Sequence, residues 1–397
     1  MADGQAGAGP DNASHNDGRP DDAATNRSSH DGSAGNGGGQ RGARDPGRDN
    51  LALARVSPDP GGVGLVDHPV RLPGPEEVEF RVALCGLCGS DVVVYDADPH
   101  FGWVRPGTVL GHESVGTVGR VGLLVPEEIA PGMRAVPVSK VRCGRCSECA
   151  AGRVEQCRRP ATLGLGRHGT ACGRTIIPWH CLVPVPDGLP DTTAVLVEPT
   201  SVAWRAVVEV AQVRAGERVA VSTTRAIGLL AALIAKARGA DVTMVGRSGP
   251  EYEAKRELAV RLGLRSTTAP DPGLFDTWVE ASGSGKQLAT AMASVRSGGK
   301  LVLVAMYASG TRQPVNARAR KDVDILTSYS SVRADFEEAV GFLLTVPQVG
   351  EQLITLFPMD RAVEALRLTA RAAATEDGRP LIKAVLQPGA WNRDSGA

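Results

Sequence analysis

Cys143, Cys146, Cys149 and Cys157 follow the spacing C-x2-C-x2-C-x7-C. Four thiolates this close along the chain can wrap one tetrahedral ion, with Zn–S bonds of about 2.3 Å. Gly144 and Gly152 suit the tight turns between them. With every ligand a thiolate, no coordination position stays open, so the chemistry is structural rather than catalytic. The competing readings are disulfides or an iron–sulfur cluster. The chain has no apolar leader, so a reducing compartment is expected and disulfides are disfavoured. The spacing also differs from the bacterial ferredoxin run. Zinc is the expected occupant.

A second constellation can do catalysis. Cys85-Gly86-Leu87-Cys88-Gly89-Ser90-Asp91 is followed by Gly111-His112-Glu113, and later by Val197-Glu198-Pro199. A thiolate and an imidazole, each beside a glycine, suit a mixed-ligand zinc that keeps a position open for substrate. Cys85, Cys172 and Cys181 read as small buried core residues.

These residues need a scaffold. From Leu51 to about Pro190, short β-type runs are broken by Gly and Pro. Val78-Glu79-Phe80-Arg81-Val82, Ser114-Val115-Gly116-Thr117-Val118 and Cys181-Leu182-Val183-Pro184-Val185 are examples, and they predict a β-rich, barrel-like unit. After Glu198 the pattern changes. Strands at Arg218-Val219-Ala220-Val221, Asp241-Val242-Thr243-Met244-Val245, 275–280 and 301–304 alternate with amphipathic helices at 226–238 and 251–262. That alternation predicts an α/β, doubly wound parallel sheet. A helix at 336–344 and a strand at 381–386 close the chain. The expected division is a tail at 1–50, a catalytic domain at 51–200 and 335–397, and a nucleotide-type domain at 201–334.

Composition limits the function classes. The 397 residues carry no formal net charge, and 42% are hydrophobic. Neither nucleic acid nor an anionic membrane is an expected partner. No apolar run approaches the roughly 20 residues of a membrane span, so a cytoplasmic location is expected. Residues 1–50 contain no aromatic residue and no Leu, Ile or Val. They cannot offset their ordering entropy by burial, and disorder is expected there. His15 and His30 in this tail read as solvated side chains.

Taken in order, Cys-Gly-Ser-Asp, Gly-His-Glu, the four-Cys lobe and Val-Glu-Pro resemble the zinc-containing medium-chain dehydrogenase/reductase family. The resemblance spans about residues 51–387. It implies a GroES-like catalytic domain and a Rossmann-type domain, two zinc ions per chain, a nicotinamide cofactor and a homodimer or homotetramer. It implies Cys88 and His112 as catalytic-zinc ligands, with Glu113 and Glu198 as direct or water-mediated ligands. For Glu113, a role behind the ligands is an equal alternative. A Glu in the third ligand position is similar to the sorbitol, threonine, glucose and aminocyclitol dehydrogenases. Ser90 matches the family's hydroxyl relay for the alcohol proton. The His that usually continues the relay is replaced by Val93.

The nucleotide motif departs from the family. Where a glycine fingerprint should follow Val221, the chain has Ser222-Thr223-Thr224-Arg225-Ala226-Ile227-Gly228. Only the third glycine, Gly228, remains, and Thr223 and Arg225 occupy the other two places. Arg225 either crowds the pyrophosphate or pairs with it. Gly246-Arg247-Ser248 stands where an acidic residue would hold the ribose hydroxyls, a pattern that accepts a 2′-phosphate and favours NADP over NAD. Arg247 as a plain solvated loop residue is the alternative. Three readings follow: a dehydrogenase of a polyol, sugar or aminocyclitol; a zinc protein with altered or lost dinucleotide binding and non-redox chemistry; and a catalytically silent binding protein.

Overall fold

The computed structural model describes residues 50–388, except 154–155, 224, 308–310, 312–314, 372–373 and 376–377. The disorder expected for the tail therefore falls, apart from Asn50, outside the described residues, as do His15 and His30.

The β-rich part is built on one long strand, Glu77–Gly86, whose side chains are buried at most positions. Glu113–Val121 pairs with it antiparallel, and Lys383–Gln387 pairs with its last two residues. The full sheet runs Ile354–Pro358, Lys383–Gln387, Glu77–Gly86, Glu113–Val121, Arg134–Pro137, Leu182–Pro184, with Arg174–Pro178 branching onto the long strand. Gly86 pairs with Glu113 and also with Val385. That register brings the end of the long strand, the start of Glu113–Val121 and the middle of Lys383–Gln387 to one place, next to Cys88.

The second part is a six-stranded parallel sheet in the order Arg265–Thr267, Asp241–Val245, Arg218–Ser222, Phe275–Glu280, Val295–Leu303, Asp324–Thr327. Its strands alternate with the helices Ala226–Ala237, Pro250–Arg261 and Gly285–Ser294. The chain order reverses between Arg218–Ser222 and Phe275–Glu280. In such sheets the ligand crevice lies outside the carboxyl ends of the strands at this switch point. Among the described residues, no helix is long and apolar enough to cross a membrane.

One hydrophobic core joins the two parts. Leu84, Val115 and Val136 of the β-rich sheet belong to the same buried cluster as Val219, Leu229 and Phe336. The helix Val197–Trp204 contributes Val197 and Ala203 to it. Burial of this shared apolar surface fixes the site between the parts.

Several expectations about elements are corrected. Cys181 ends a short 3-10 turn, Trp179–Cys181, and the strand begins only at Leu182. The final strand starts at Lys383, after Leu381 and Ile382, and the strand expected at 301–304 begins already at Val295. The helix expected at 336–344 runs Arg333–Thr345, opened by Asp335, whose carboxylate accepts from the Val332 amide at 2.8 Å. Glu198 sits in the first turn of a helix that its apolar, Pro-interrupted sequence did not announce.

Gly111 shows how tightly the fold sets the site. Its φ is +82°, and an added Cβ would lie 2.7 Å from Cys85 Sγ and 2.9 Å from the Ala171 backbone nitrogen. Neither the conformation nor the space admits a side chain. Gly111→Ala is expected to cost about 1–3 kcal/mol of stability and to displace His112. Thermal melts and zinc content check this, and a variant with parental melting and metal content would contradict it.

Candidate active site

The turn after the long strand carries Cys88 into the helix Gly89–Tyr95. Asp91, fully buried, ties this turn to the next strand. Its carboxylate accepts from the Cys88 amide at 2.8 Å and from the Gly111 amide at 3.2 Å. His112 and Glu113 follow Gly111 at the start of Glu113–Val121. One ligand atom each from Cys88, His112 and Glu113 lie within 4.8 Å of one another.

Glu198 falls outside that triplet but is buried beside it. Ser139 Oγ donates to its Oε1 at 3.0 Å. Glu113 is held from behind by an ion pair with Lys383 Nζ, and both side chains are buried. Ser90 Oγ and His112 Nδ1 are buried without a hydrogen-bond partner.

The electrostatics share one pattern. Burial pulls the His112 pKa down, yet Cys88, Glu198 and Asp91 outweigh it and hold it well above the ordinary value. Burial likewise opposes the Lys383 charge, and Glu113, Cys88 and Glu198 overcome it and raise its pKa. Glu198 is pushed up by burial and by Glu113, against His112 and Lys383. Acids driven toward neutrality and bases held charged mark a site with surplus negative charge. Thiolate, imidazole and carboxylate donors around such a site fit a zinc ion.

The four lobe cysteines, all free thiols, also come together, with ligand atoms within 4.8 Å. The Cys143 amide donates to Cys157 Sγ at 3.3 Å, and the Cys149 amide to Cys146 Sγ at 3.5 Å. The amides of Cys149 and Arg158 pull Cys146 down to about 6, whereas burial and the adjoining thiols push Cys149 up to about 12. Four thiolates cannot share this space without a cation to neutralise them.

At the sheet's switch point, Thr223 adopts a φ of +84°, so the left-handed turn of the missing first glycine persists with a side chain on it. A Cβ on Gly228 would lie 2.5 Å from the Thr223 carbonyl oxygen, so the close helix–strand approach also persists. Arg225 caps the helix Ala226–Ala237 without a side-chain bond to it and is exposed. Gly246 is buried, Arg247 and Ser248 are exposed, and the Arg247 guanidinium lies 4.8 Å from the Tyr252 ring centroid.

Sequence reasoning missed four groups here. Lys383 was a lone cation in an otherwise apolar closing strand, and that contrast was the available signal. Lys255 is 3% exposed, with its pKa lowered by burial and by nearby Arg225. Ser139 left no signal. Glu280, fully buried at the crevice, accepts from Ser222 Oγ at 2.9 Å, from the Ser282 amide at 2.9 Å and from Tyr307 OH.

Known proteins are similar to this chain in sequence and fold. The alcohol dehydrogenase GroES-like domain family model matches residues 74–187, and the zinc-binding dehydrogenase model matches residues 226–345. An L-threonine 3-dehydrogenase of Deinococcus deserti is 30% identical over 64% of this chain and 77% of its own length. The alcohol dehydrogenase TADH from Thermus sp. ATN1 superposes with a TM-score of 0.72 at 25% identity, covering 85% of this chain and 99% of that one. An acetophenone reductase from Geotrichum candidum shares the fold, with a TM-score of 0.75 at 22% identity over 87% of this chain and 98% of that one. The chain therefore belongs to the zinc-containing medium-chain dehydrogenase/reductase family and is an oxidoreductase of the alcohol dehydrogenase type.

Proposed function

We propose that the protein moves a hydride between a nicotinamide dinucleotide, NADP ahead of NAD, and a secondary alcohol or its ketone on a polyol, sugar or aminocyclitol. The observation that carries this reading is the buried Cys88–His112–Glu113 set beside Glu198. Relatives named L-threonine 3-dehydrogenase support oxidoreduction in general.

Cys88, His112 and a carboxylate would hold the catalytic zinc, and Cys143, Cys146, Cys149 and Cys157 a structural one. When bound, the catalytic ion supplies a Lewis acid for an alcohol or carbonyl oxygen. Lys383 and Ser139 hold Glu113 and Glu198 in separate orientations, so either carboxylate can serve as the third ligand. Asp91 keeps Cys88 and Gly111 in register through their amides. Ser90, with a buried and unpartnered hydroxyl, receives the alcohol proton. Because Val93 replaces the next relay group, that proton passes on to water.

On the nucleotide side, Thr223 and Gly228 preserve the turn, while Arg225 and Lys255 concentrate positive charge beside the helix N-terminus. Phosphates would be held there by side-chain cations in place of close backbone approach. Gly246, Arg247 and Ser248 would take the 2′-phosphate, with Tyr252 holding the guanidinium flat. The replaced glycines also support a second reading, in which the zinc site works without a dinucleotide.

Cys149→Ser is expected to destabilise or aggregate the protein, because the lobe has little apolar core of its own. Cys88→Ser should remove activity and leave folding nearly intact. Melting curves and turnover measured on both variants check the division, and two normally folded, merely inactive variants would contradict it.

Removal of a charged hydrogen bond worth roughly 1.5–3 kcal/mol predicts that Arg247→Ala weakens NADPH about ten- to a hundredfold. NADH should change far less, and Gly246→Asp should shift preference toward NADH. Dissociation constants from nicotinamide fluorescence test this. Equal parental affinities that Arg247→Ala leaves unchanged would remove the NADP assignment, and no binding of either cofactor would favour the second reading.

A further inference from the structure

The rim of the site carries charge that the hydride-transfer reading does not use. Lys140 directly follows Ser139, the residue bonded to Glu198. Its ammonium lies 5.4 Å from the centroid of the Tyr329 ring, and among the described residues no carboxylate pairs with it. Tyr329 follows the strand Asp324–Thr327, at the carboxyl edge of the parallel sheet, and is 71% exposed. Two residues on, the Ser331 hydroxyl bonds the Ser201 hydroxyl at 2.7 Å, on the same helix as Glu198. Lys140 therefore stands where the metal-ligand side and the ligand edge of the nucleotide sheet meet.

Further cations gather near His180. Arg142 lies two residues after Lys140. Arg333 donates to the carbonyls of His180 at 3.2 Å and Leu182 at 2.5 Å, and shares Glu337 at 3.2 Å. His180 is driven down to about 4 by burial, then by Arg142, Arg167 and Arg333. Within the site, Lys383 pairs with Glu113 and Asp91 accepts from two backbone amides; a zinc ion, when bound, would balance the charge of Cys88 and Glu198.

We infer that the substrate is an alcohol bearing an anionic group, a carboxylate or a phosphate monoester, held by Lys140 at the mouth of the site. The inference rests on the dehydrogenase reading above and adds the class of molecule. Lys140 is half-buried, and an ammonium partly removed from water attracts an anion more strongly than one in open water. The same charge disfavours amine-bearing polyols, aminocyclitols among them.

The test uses four compounds on one carbon skeleton: sorbitol, gluconate, sorbitol 6-phosphate and the amine glucamine. Calorimetric dissociation constants are measured on the zinc-loaded full chain, and nicotinamide reduction is followed with NADP and NAD. Gluconate or sorbitol 6-phosphate should bind about ten- to a hundredfold more tightly than sorbitol, with glucamine weakest. The tighter anion identifies carboxylate or phosphate as the recognised group. Lys140→Met should abolish the gap, and Lys140→Arg should keep most of it. Equal or tighter binding of sorbitol or glucamine, no binding of any compound, or a gap that survives Lys140→Met would overturn the inference. Anion-selective binding without nicotinamide reduction would keep it and contradict the dehydrogenase reading. Reduction by sorbitol at equal affinity would do the reverse.

Discussion

The structure depends on a concentration of negative charge that cannot stay buried alone. A thiolate and two carboxylates gather around one imidazole where the β-rich part meets the parallel sheet. Burying unpaired charge costs several kcal/mol per ion, so the arrangement requires a cation. Much of the local architecture serves this requirement. Asp91 fastens two loops through their amides, Gly111 admits the turn that presents His112, and Lys383 reaches in from the last strand to hold Glu113. The continuous core behind them keeps the donors from relaxing apart.

The nucleotide edge meets a different anion problem by a different route. A glycine fingerprint lets the backbone approach a pyrophosphate closely. Here Thr223 keeps the left-handed turn and Gly228 keeps the close packing, while the approach itself gives way to side chains. Under the proposed reading, Arg225 and the buried Lys255, which interact electrostatically, would supply the positive charge for the phosphates. In that reading charge would take over from close backbone approach, while the sheet order that places the crevice is the one expected of a doubly wound sheet.

The fold class was legible because it rests on periodicity and order. Alternating strands and helices after Glu198 predicted the parallel sheet, and the broken β runs before it predicted the β-rich unit. The four lobe cysteines were legible because their spacing is short, whereas Cys88, His112 and Glu198, far apart along the chain, were legible only as motifs that in their order resemble a family. What escaped notice acts across long sequence separations. Lys383 meets Glu113 only through the pairing of the last strand with the long one. Ser139 meets Glu198 across the junction of the two parts, and Lys255 approaches Arg225 from a helix whose apolar face had to be buried first. Glu280 and Tyr307 converge only when two neighbouring strands end side by side. No local pattern encodes such contacts, since they follow from tertiary register.

The central claim is that the buried donor set holds a zinc ion with a position open to substrate. Anomalous diffraction at the zinc edge, on crystals of the full chain, tests it most directly. Two peaks are expected. One lies among Cys143, Cys146, Cys149 and Cys157 with its coordination closed by sulfur. The other lies among Cys88, His112 and a glutamate, with a remaining position taken by water or an added alcohol. A single peak in the lobe, with Glu113 and Lys383 still paired and no density beside Cys88, would contradict it.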